Sequence, residues 1–464
     1  MSNHHTRPKE KPIDHLRAPV ERIIHLENMS GIALIAGAVI ALVLANLPVT
    51  DSVDHFWHTH LGISFGPIEL DESLKHWIND GLMTVFFFVA GLEIKRELVV
   101  GDLRDPRTAA LPGIAAIGGM VVPAGLYMIF SGTAARGGWG VPMATDIAFA
   151  VGVLTLLGHR VPRRLKMLLL TLAIVDDLGA IVVIAVFYTA SLDTTALAIA
   201  AGCLAALIIL RQLGVWWMPA YVLVGVALWI ATFESGIHAT LAGVVCGLLA
   251  PATPRRPNET LVIAPSAVAL DELKAIIFDT RETRSVVDRL IHALHPFAAF
   301  LIVPLFALAN TGVPTPPSAV VDAATSGVGQ AIFVGLVFGK PLGIVGASWL
   351  AVRMGIATLP KGVSWIHMVG LGFLGGIGFT VSLFITDLAF EDETTVASAK
   401  IAILAASVVA ATAGAVVLKL STRPKPESAG QLGPIGYSEL DASTEAVLPT
   451  TTPAVTRTVH LGDG

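Results

Sequence analysis

Charge is what this chain has least of. Asp, Glu, Lys and Arg make up 14% of its 464 residues, against about 25% in soluble globular proteins. With 54% hydrophobic residues, it lacks the polar surface that a single soluble core of this length requires. Cysteine is scarce as well: Cys203 and Cys246 both lie in apolar runs, which excludes a disulfide framework. No excess of basic charge is present either. A net charge of −5 and an isoelectric point near 6.3 exclude the electrostatic footprint of a nucleic-acid binder. What the chain has is apolar sequence, enough for about a dozen spans of about 20 residues, and a mean hydropathy of +0.73. The composition is that of an all-α, polytopic integral membrane protein.

The polar stretch 1–28 precedes the first apolar run, Gly31 to Val49. That run is too long for a signal-peptide core and others follow it, so it reads as a span. Further runs fall at 81–94, 110–130, 141–157, 165–190, 194–210, 215–232, 237–250, 292–312, 327–351, 364–388 and 398–418, twelve in all. The second, short as a purely apolar run, is expected to continue through Glu93–Leu98. Basic residues sort by side of the membrane. Twenty-six of the thirty Lys and Arg fall on the side of the N-terminal segment, and only Lys75, Arg136 and Lys400 fall on the other. Both termini are therefore expected in the cytoplasm. The thirtieth, Lys340, lies within a span.

Three regions follow: a cytoplasmic segment 1–28, a membrane domain 29–420, and a tail 421–464 rich in Pro, Gly, Ser and Thr that is expected to be disordered. The outer loop 51–79 holds two strand-like runs around Gly66-Pro67, which predict a small hairpin over 62–70. The cytoplasmic connection 251–291 is long, with a short surface helix expected at 266–279. Its Asn258-Glu259-Thr260 glycosylation pattern faces the cytoplasm on this topology and is discounted.

Against this dry background a few ionised side chains stand out. An Asp at mid-span costs about 2.5–3.5 kcal/mol on insertion scales. Asp146 lies in Val141–Ala150, Asp176 and Asp177 lie about eleven residues into their span, and Lys340 follows Gly339. Lys340 pairing with one Asp to hold the bundle accounts for one acid and one base. Two negative charges remain, and they require a proton, a cation or water, which reads as an ion pathway. Adjacent helical residues point about 100° apart, so Asp176 and Asp177 meet different neighbours. A proton then competes with a hard cation for the same oxygens. Na⁺ or Li⁺ wants oxygen ligands, which Asp176, Asp177, Asp146 and Thr145 supply; softer ions want Cys or His, and neither is nearby in sequence.

Glycine and proline mark where helices break. Gly137-Gly138-Trp139-Gly140-Val141-Pro142 leads into Thr145-Asp146, and Gly370–Gly378 holds five glycines in nine residues. Close packing of helices through small residues is one reading. At this density, unwound backbone lining a cavity is favoured. Half-helix ends so exposed carry about half a charge each, which an Asp and a Lys nearby offset.

At these residues the chain resembles the NhaA-type sodium/proton antiporters. The resemblance covers about residues 25–420 and rests on six motifs in order: Phe86–Leu98, Ala144–Ala150, Leu172–Ala180, Ser235–Gly243, Gly339–Ile344 and Gly375–Thr380. It implies twelve helices in two inverted-topology repeats, spans 3–5 and 10–12, with interrupted fourth and eleventh helices that cross near the midplane. It implies that the residue at Asp177 binds the cation and that Asp176 binds cation or proton and pairs with Lys340. It places Thr145 and Asp146 at the interrupted fourth helix. An inner-membrane homodimer, assembled partly through the outer-loop hairpin, is implied as well. So is electrogenic export of Na⁺ or Li⁺ against a larger number of protons, switched on at alkaline pH. Glu93, Arg96, Glu97, His238, His292 and His295 match the family's pH-sensing positions. On their own, Glu93, Arg96 and Glu97 read as a solvated helix end. Ile291 stands where the family usually has a glutamate, and the 251–289 connection is longer than usual, so the pH threshold departs from the family pattern.

No cofactor, enzymatic chemistry or nucleic-acid partner is expected. The ions are cargo, membrane lipid is the surroundings, and His55, His58 and His60 match no known metal-ligand spacing. The competing reading is sodium-coupled uptake of an organic solute. It needs further polar or basic groups at the midplane, and one Lys beside three Asp suits an anion poorly. A channel needs a continuous polar path, which the dry spans lack.

Overall fold

The structure is a computed structural model. It describes residues 14–252 and 285–421, apart from positions 66–67, 134, 159–160, 190–191 and 216. The expected helix at 266–279, the Asn258 pattern and the tail from 422 onward lie outside the described residues.

Helix α1 (Asp14–Ala45) begins inside the stretch expected to be a polar leader. After α2 (Thr50–Trp57), strands β1 (His60–Phe65) and β2 (Ile68–Ser73) pair antiparallel, from His60 opposite Ser73 to Phe65 opposite Ile68. The hairpin is there, longer than expected. Helix α3 (Leu74–Val99) contains a π-helical turn at Trp77–Leu82 and, as expected, runs on through Glu93–Leu98. Helix α4 (Pro106–Phe130) starts on Asp105, whose carboxylate accepts the Arg107 N–H at 3.0 Å, with Pro106 at its first position.

The next span is interrupted. A 3₁₀ stretch at Arg136–Met143 gives way to non-helical backbone at 144–146, and α5 (Ile147–Leu156) follows. Then come α6 (Arg163–Phe187), α7 (Thr194–Gln212), α8 (Met218–Glu234) and α9 (Thr240–Leu249). Beyond the undescribed connection lie α10 (Val286–Asn310), the short α11 (Pro317–Thr325) and α12 (Gly327–Arg353), which carries a π-helical turn at Gly335–Gly339. The second interruption separates α13 (Trp365–Gly375) from α14 (Phe379–Ala389), which are bent by 45° to one another. Helix α15 (Glu393–Ser421) ends the described chain.

Among the described residues eight helices are long and apolar enough to cross a membrane, or nine with α13 and α14 counted as one bent span. Met29–Ala45, α8 and α9 are apolar but shorter. Small residues bring backbones together, as membrane helices require without a water-driven force between them. A Cβ at Gly118 of α4 would collide with Gly343 O of α12, and one at Gly343 with Gly118 O. A Cβ at Gly91 of α3 would lie 2.6 Å from Val244 O of α9. The Gly118–Gly343 seam holds α12, and so Lys340, against α4.

Candidate functional site

The two interruptions meet. Asp146 N–H donates to Ile377 O at 2.6 Å, so the unwound backbone of one break satisfies the other. Asp146 closes the joint with its side chain. Its Oδ1 accepts the Phe149 N–H at 2.9 Å, capping α5, and its Oδ2 accepts the Thr380 N–H at 3.1 Å and the Thr380 hydroxyl at 2.7 Å. One carboxylate thus faces the positive ends of two half-helices, α5 and α14. The expected balance of an Asp against positive helix ends holds, and the same residue serves both.

Thr145, beside it, is fully buried. Its Oγ lies 2.8 Å from Gly375 O, the last residue of α13, and 2.8 Å from Asp176 Oδ2. Lys340 Nζ donates to Thr145 Oγ at 3.0 Å and to Asp176 Oδ2 at 2.5 Å, and both charged side chains are fully buried. A threonine hydroxyl has one proton, so it serves either the Gly375 carbonyl or Asp176 at a given moment. Lys340 therefore reaches a negative helix end through Thr145 and spends its direct contact on Asp176.

The π-helical turn before Lys340 sets this position. Lys340 N–H bonds Gly335 O, five residues back, and Pro341 has no N–H to give. The Leu336 carbonyl points at Gly376 in the second break, where a Cβ would collide with it.

Asp177 is different. It is 8% exposed, its Oδ1 is buried with no hydrogen-bond partner, and it lies within electrostatic reach of Asp176, Asp146 and Glu93. Asp176 Oδ1 is likewise buried without a partner. Buried polar atoms are nearly always satisfied, so two orphaned carboxylate oxygens on adjacent residues are able to take up a proton or a hard cation. The Lys340 ammonium occupies the other oxygen of Asp176.

The other expected residues divide. Glu93 Oε1 lies 3.9 Å from His295 Nε2, and Arg96 Nε lies 3.2 Å from Asp288 Oδ1, so the C-terminal part of α3 and the start of α10 come together. Glu97 curls back on Gly101, and His292 is exposed on α10. His238 is elsewhere: its Nε2 lies 2.6 Å from the Tyr188 carbonyl, at the far end of α6. Tyr188 in turn donates its hydroxyl to Gly137 O at 2.7 Å and accepts the Gly140 N–H, bracing the 3₁₀ stretch. His58 and His60 face Asp54 and Asp71 on the outer loop, and His55 is in α2. Among the described residues no group of three or more His, Cys, Asp or Glu is placed to hold a metal ion.

Sequence reading missed Thr380 as a partner of Asp146, although the phenylalanine–threonine pair after the glycines was in view. It also missed Asp387 and Lys400, whose side chains pair at 2.8 Å. Lys400 had been assigned to an outer loop.

The chain as a whole is similar to known proteins. The chain matches the family described as Na⁺/H⁺ antiporter 1 over residues 21–418. It is 48% identical over 434 residues to a Na⁺/H⁺ antiporter NhaA of Rhodopirellula baltica, covering 90% of this chain and 97% of that one. It is 47% identical over 427 residues to the Na⁺/H⁺ antiporter NhaA 2 of Myxococcus xanthus, covering 88% and 91%. With a Na⁺/H⁺ antiporter NhaA of Oleidesulfovibrio alaskensis it shares 46% over 449 residues, 92% of this chain and all of the other. This multi-pass membrane protein belongs to the Na⁺/H⁺ antiporter 1 family.

Proposed function

We propose that the protein exchanges Na⁺ for H⁺ at one buried site shared by both ions. The observation that carries this reading is the pair of orphaned carboxylate oxygens on Asp176 and Asp177, next to a lysine that already fills the cation position on Asp176. With both carboxylates deprotonated and Lys340 withdrawn, Na⁺ finds hard oxygen ligands from Asp177, Asp176 and the Thr145 hydroxyl. Proton return to Asp177, and re-pairing of Lys340 with Asp176, discharges the ion. Asp146 stays bound to the Phe149 N–H, the Thr380 N–H and the Thr380 hydroxyl and acts as the fixed counter-charge of the crossing. Lys340 gives up a proton when it withdraws and regains one when it re-pairs, so one cation trades against two protons, one on Asp177 and one on Lys340, which makes the exchange electrogenic. Li⁺ has the same ligand preference and is carried by the same oxygens. Organic-solute uptake lacks support, because the site presents no further basic group to hold a substrate.

The finer architecture belongs to this proposal: twelve spans in two inverted repeats, spans 3–5 and 10–12, in an inner-membrane homodimer with both termini cytoplasmic. Two interruptions in the fourth and eleventh apolar runs, meeting at Asp146 and Ile377, are what such repeats produce. Activation at alkaline pH is assigned to the contact zone of Glu93, Arg96, Asp288 and His295, with Glu97 and His292 at its edge. His238 acts from the opposite end by bracing Tyr188. No cofactor or covalent catalysis enters.

The test is addition of Na⁺ or Li⁺ to everted vesicles that hold an acid interior. Collapse of the gradient is expected, with an apparent KM that rises as pH falls because protons compete. No response at any pH between about 6.5 and about 9 overturns the exchange reading. A response that requires an organic solute revives the alternative.

A further inference from the structure

Outside the site, Lys400 and Asp387 form a further ion pair, the lysine buried and the carboxylate partly buried. Lys400, a quarter of the way along α15, is 3% exposed and its Nζ lies 2.8 Å from Asp387 Oδ1. The other oxygen of Asp387 is buried with no hydrogen-bond partner. Lys75, from the start of α3 just after the hairpin, lies close enough to Lys400 to repel its charge. A half-satisfied carboxylate is thus paired with one ammonium, and a second ammonium stands behind that one. Burying such groups is costly when hydrophobic residues would pack as well, and three separate elements converge to do it.

The helix they grip explains the arrangement. Helix α14 has 11 residues and so is about 16 Å long. At its first turn, Thr380 holds Asp146 through its N–H and its hydroxyl. Asp387 stands seven residues later, about 20° from Thr380 around the axis, on the same face. The positive end of α14 thus meets Asp146, and its negative end lies beside Lys400 and Lys75. Its inner end abuts the 376–378 break, the bent joint to α13. A short rigid rod with a joint at one end is positioned by whatever grips its other end.

We propose that Asp387 and Lys400 form an outer latch on α14, a positioning pair that keeps Thr380 on Asp146 and shuts the outer side of the site while the pair is closed. Opening the latch lets α14 swing about the 376–378 joint and exposes the site to the outside. The inference rests on Asp146 belonging to the exchange site.

The test uses the full chain in proteoliposomes, with Cys203 and Cys246 replaced by serine and one reporter, Leu383→Cys, on buried α14. Two quantities are read: Na⁺-driven proton exchange, split into KM and maximal rate, and labelling by a membrane-impermeant thiol reagent added outside. Lys400→Met and Asp387→Asn are expected to label at least about tenfold faster and to change KM for Na⁺ more than maximal rate. Lys75→Met, which removes a like charge beside Lys400, is expected to leave labelling as slow as in the parent. The charge-swapped pair Asp387→Lys with Lys400→Asp is expected to restore slow labelling, which a mere packing role would not do. Wild-type labelling and KM in Lys400→Met overturn the latch, and so does a defect that the swap leaves unrepaired. Should Lys400→Met not fold, Lys400→Arg and Asp387→Asn decide: the latch requires near-normal labelling in the first and faster labelling in the second. If the unsubstituted protein exchanges no Na⁺, the proposed function fails, while the labelling difference still judges the latch.

Discussion

The break at 144–146 and the break at 376–378 face one another, and each completes the other's hydrogen bonds, yet they differ in kind. The first carries the chemistry: Thr145 and Asp146 are both buried and both make side-chain bonds to the opposite break or to Asp176. The second carries no charge at all. It supplies room, through Gly375, Gly376 and Gly378, and backbone groups, the Gly375 and Ile377 carbonyls and the Thr380 N–H. The same division separates the aspartates. Asp146 has both oxygens occupied by donors, whereas Asp176 and Asp177 each keep one oxygen orphaned. Groups that are satisfied hold the crossing together; groups left unsatisfied are the ones to which the proposed exchange assigns the ions.

This division is broken most severely at Asp177. Asp177→Asn is expected to abolish Na⁺-driven proton exchange in reconstituted vesicles while leaving the thermal melting in detergent unchanged or higher, because a buried orphan carboxylate contributes no contact to stability. Normal exchange in that variant would sink the assignment of ions to unsatisfied oxygens.

Next comes the uncharged break. Gly376→Ala forces a methyl group into the Leu336 carbonyl, backbone against backbone, with no side-chain end to yield. A loss of about 1–3 kcal/mol is expected for such overpacking, read as a lower melting temperature together with slower exchange. Gly346→Ala, on the same bundle, meets nothing within 4 Å and serves as the control that should change neither quantity. If both glycines respond alike, the second break is not a matter of room.

Much of this was legible in the sequence, for a physical reason. Charge is so rare in the apolar runs that Asp146, Asp176, Asp177 and Lys340 stand out individually; that Lys340 pairs with one Asp follows from the cost of leaving it alone, and only the family resemblance points to Asp176 as that partner. Both interruptions were legible from glycine and proline density. The hairpin was legible from a turn between strand-like runs, though not its full length of His60 to Ser73. Distance along the chain hid the rest. Asp146 and Thr380 are 234 residues apart, and a threonine in an apolar run looks like any other small residue until its partner is placed. Lys400 and Asp387 sit near span ends, where a charge normally reaches water; the packing of α14 and α15 brings them together and buries Lys400. His238 matched a motif, but its position beside Tyr188 depends on how α6 and the loop before α9 meet.

Smaller effects separate the hydroxyl of one break from the hydroxyl of the other. Thr145→Val strips the Gly375 carbonyl of its side-chain donor and removes a neutral oxygen from the ion site. A cost of about 1–3 kcal/mol is expected from the orphaned carbonyl, and KM for Na⁺ should rise with it. Thr380→Val removes one charge-assisted bond but leaves the backbone N–H on Asp146. It should cost stability, about 1.5–3 kcal/mol, with KM nearly unchanged. Thr380→Ser keeps both donors and loses a methyl group only, so it should stay within about 0.5 kcal/mol of the parent. If Thr380→Val raises KM as much as Thr145→Val does, Asp146 does more than hold two helix ends, and the line between holding and binding groups has to be redrawn to include it.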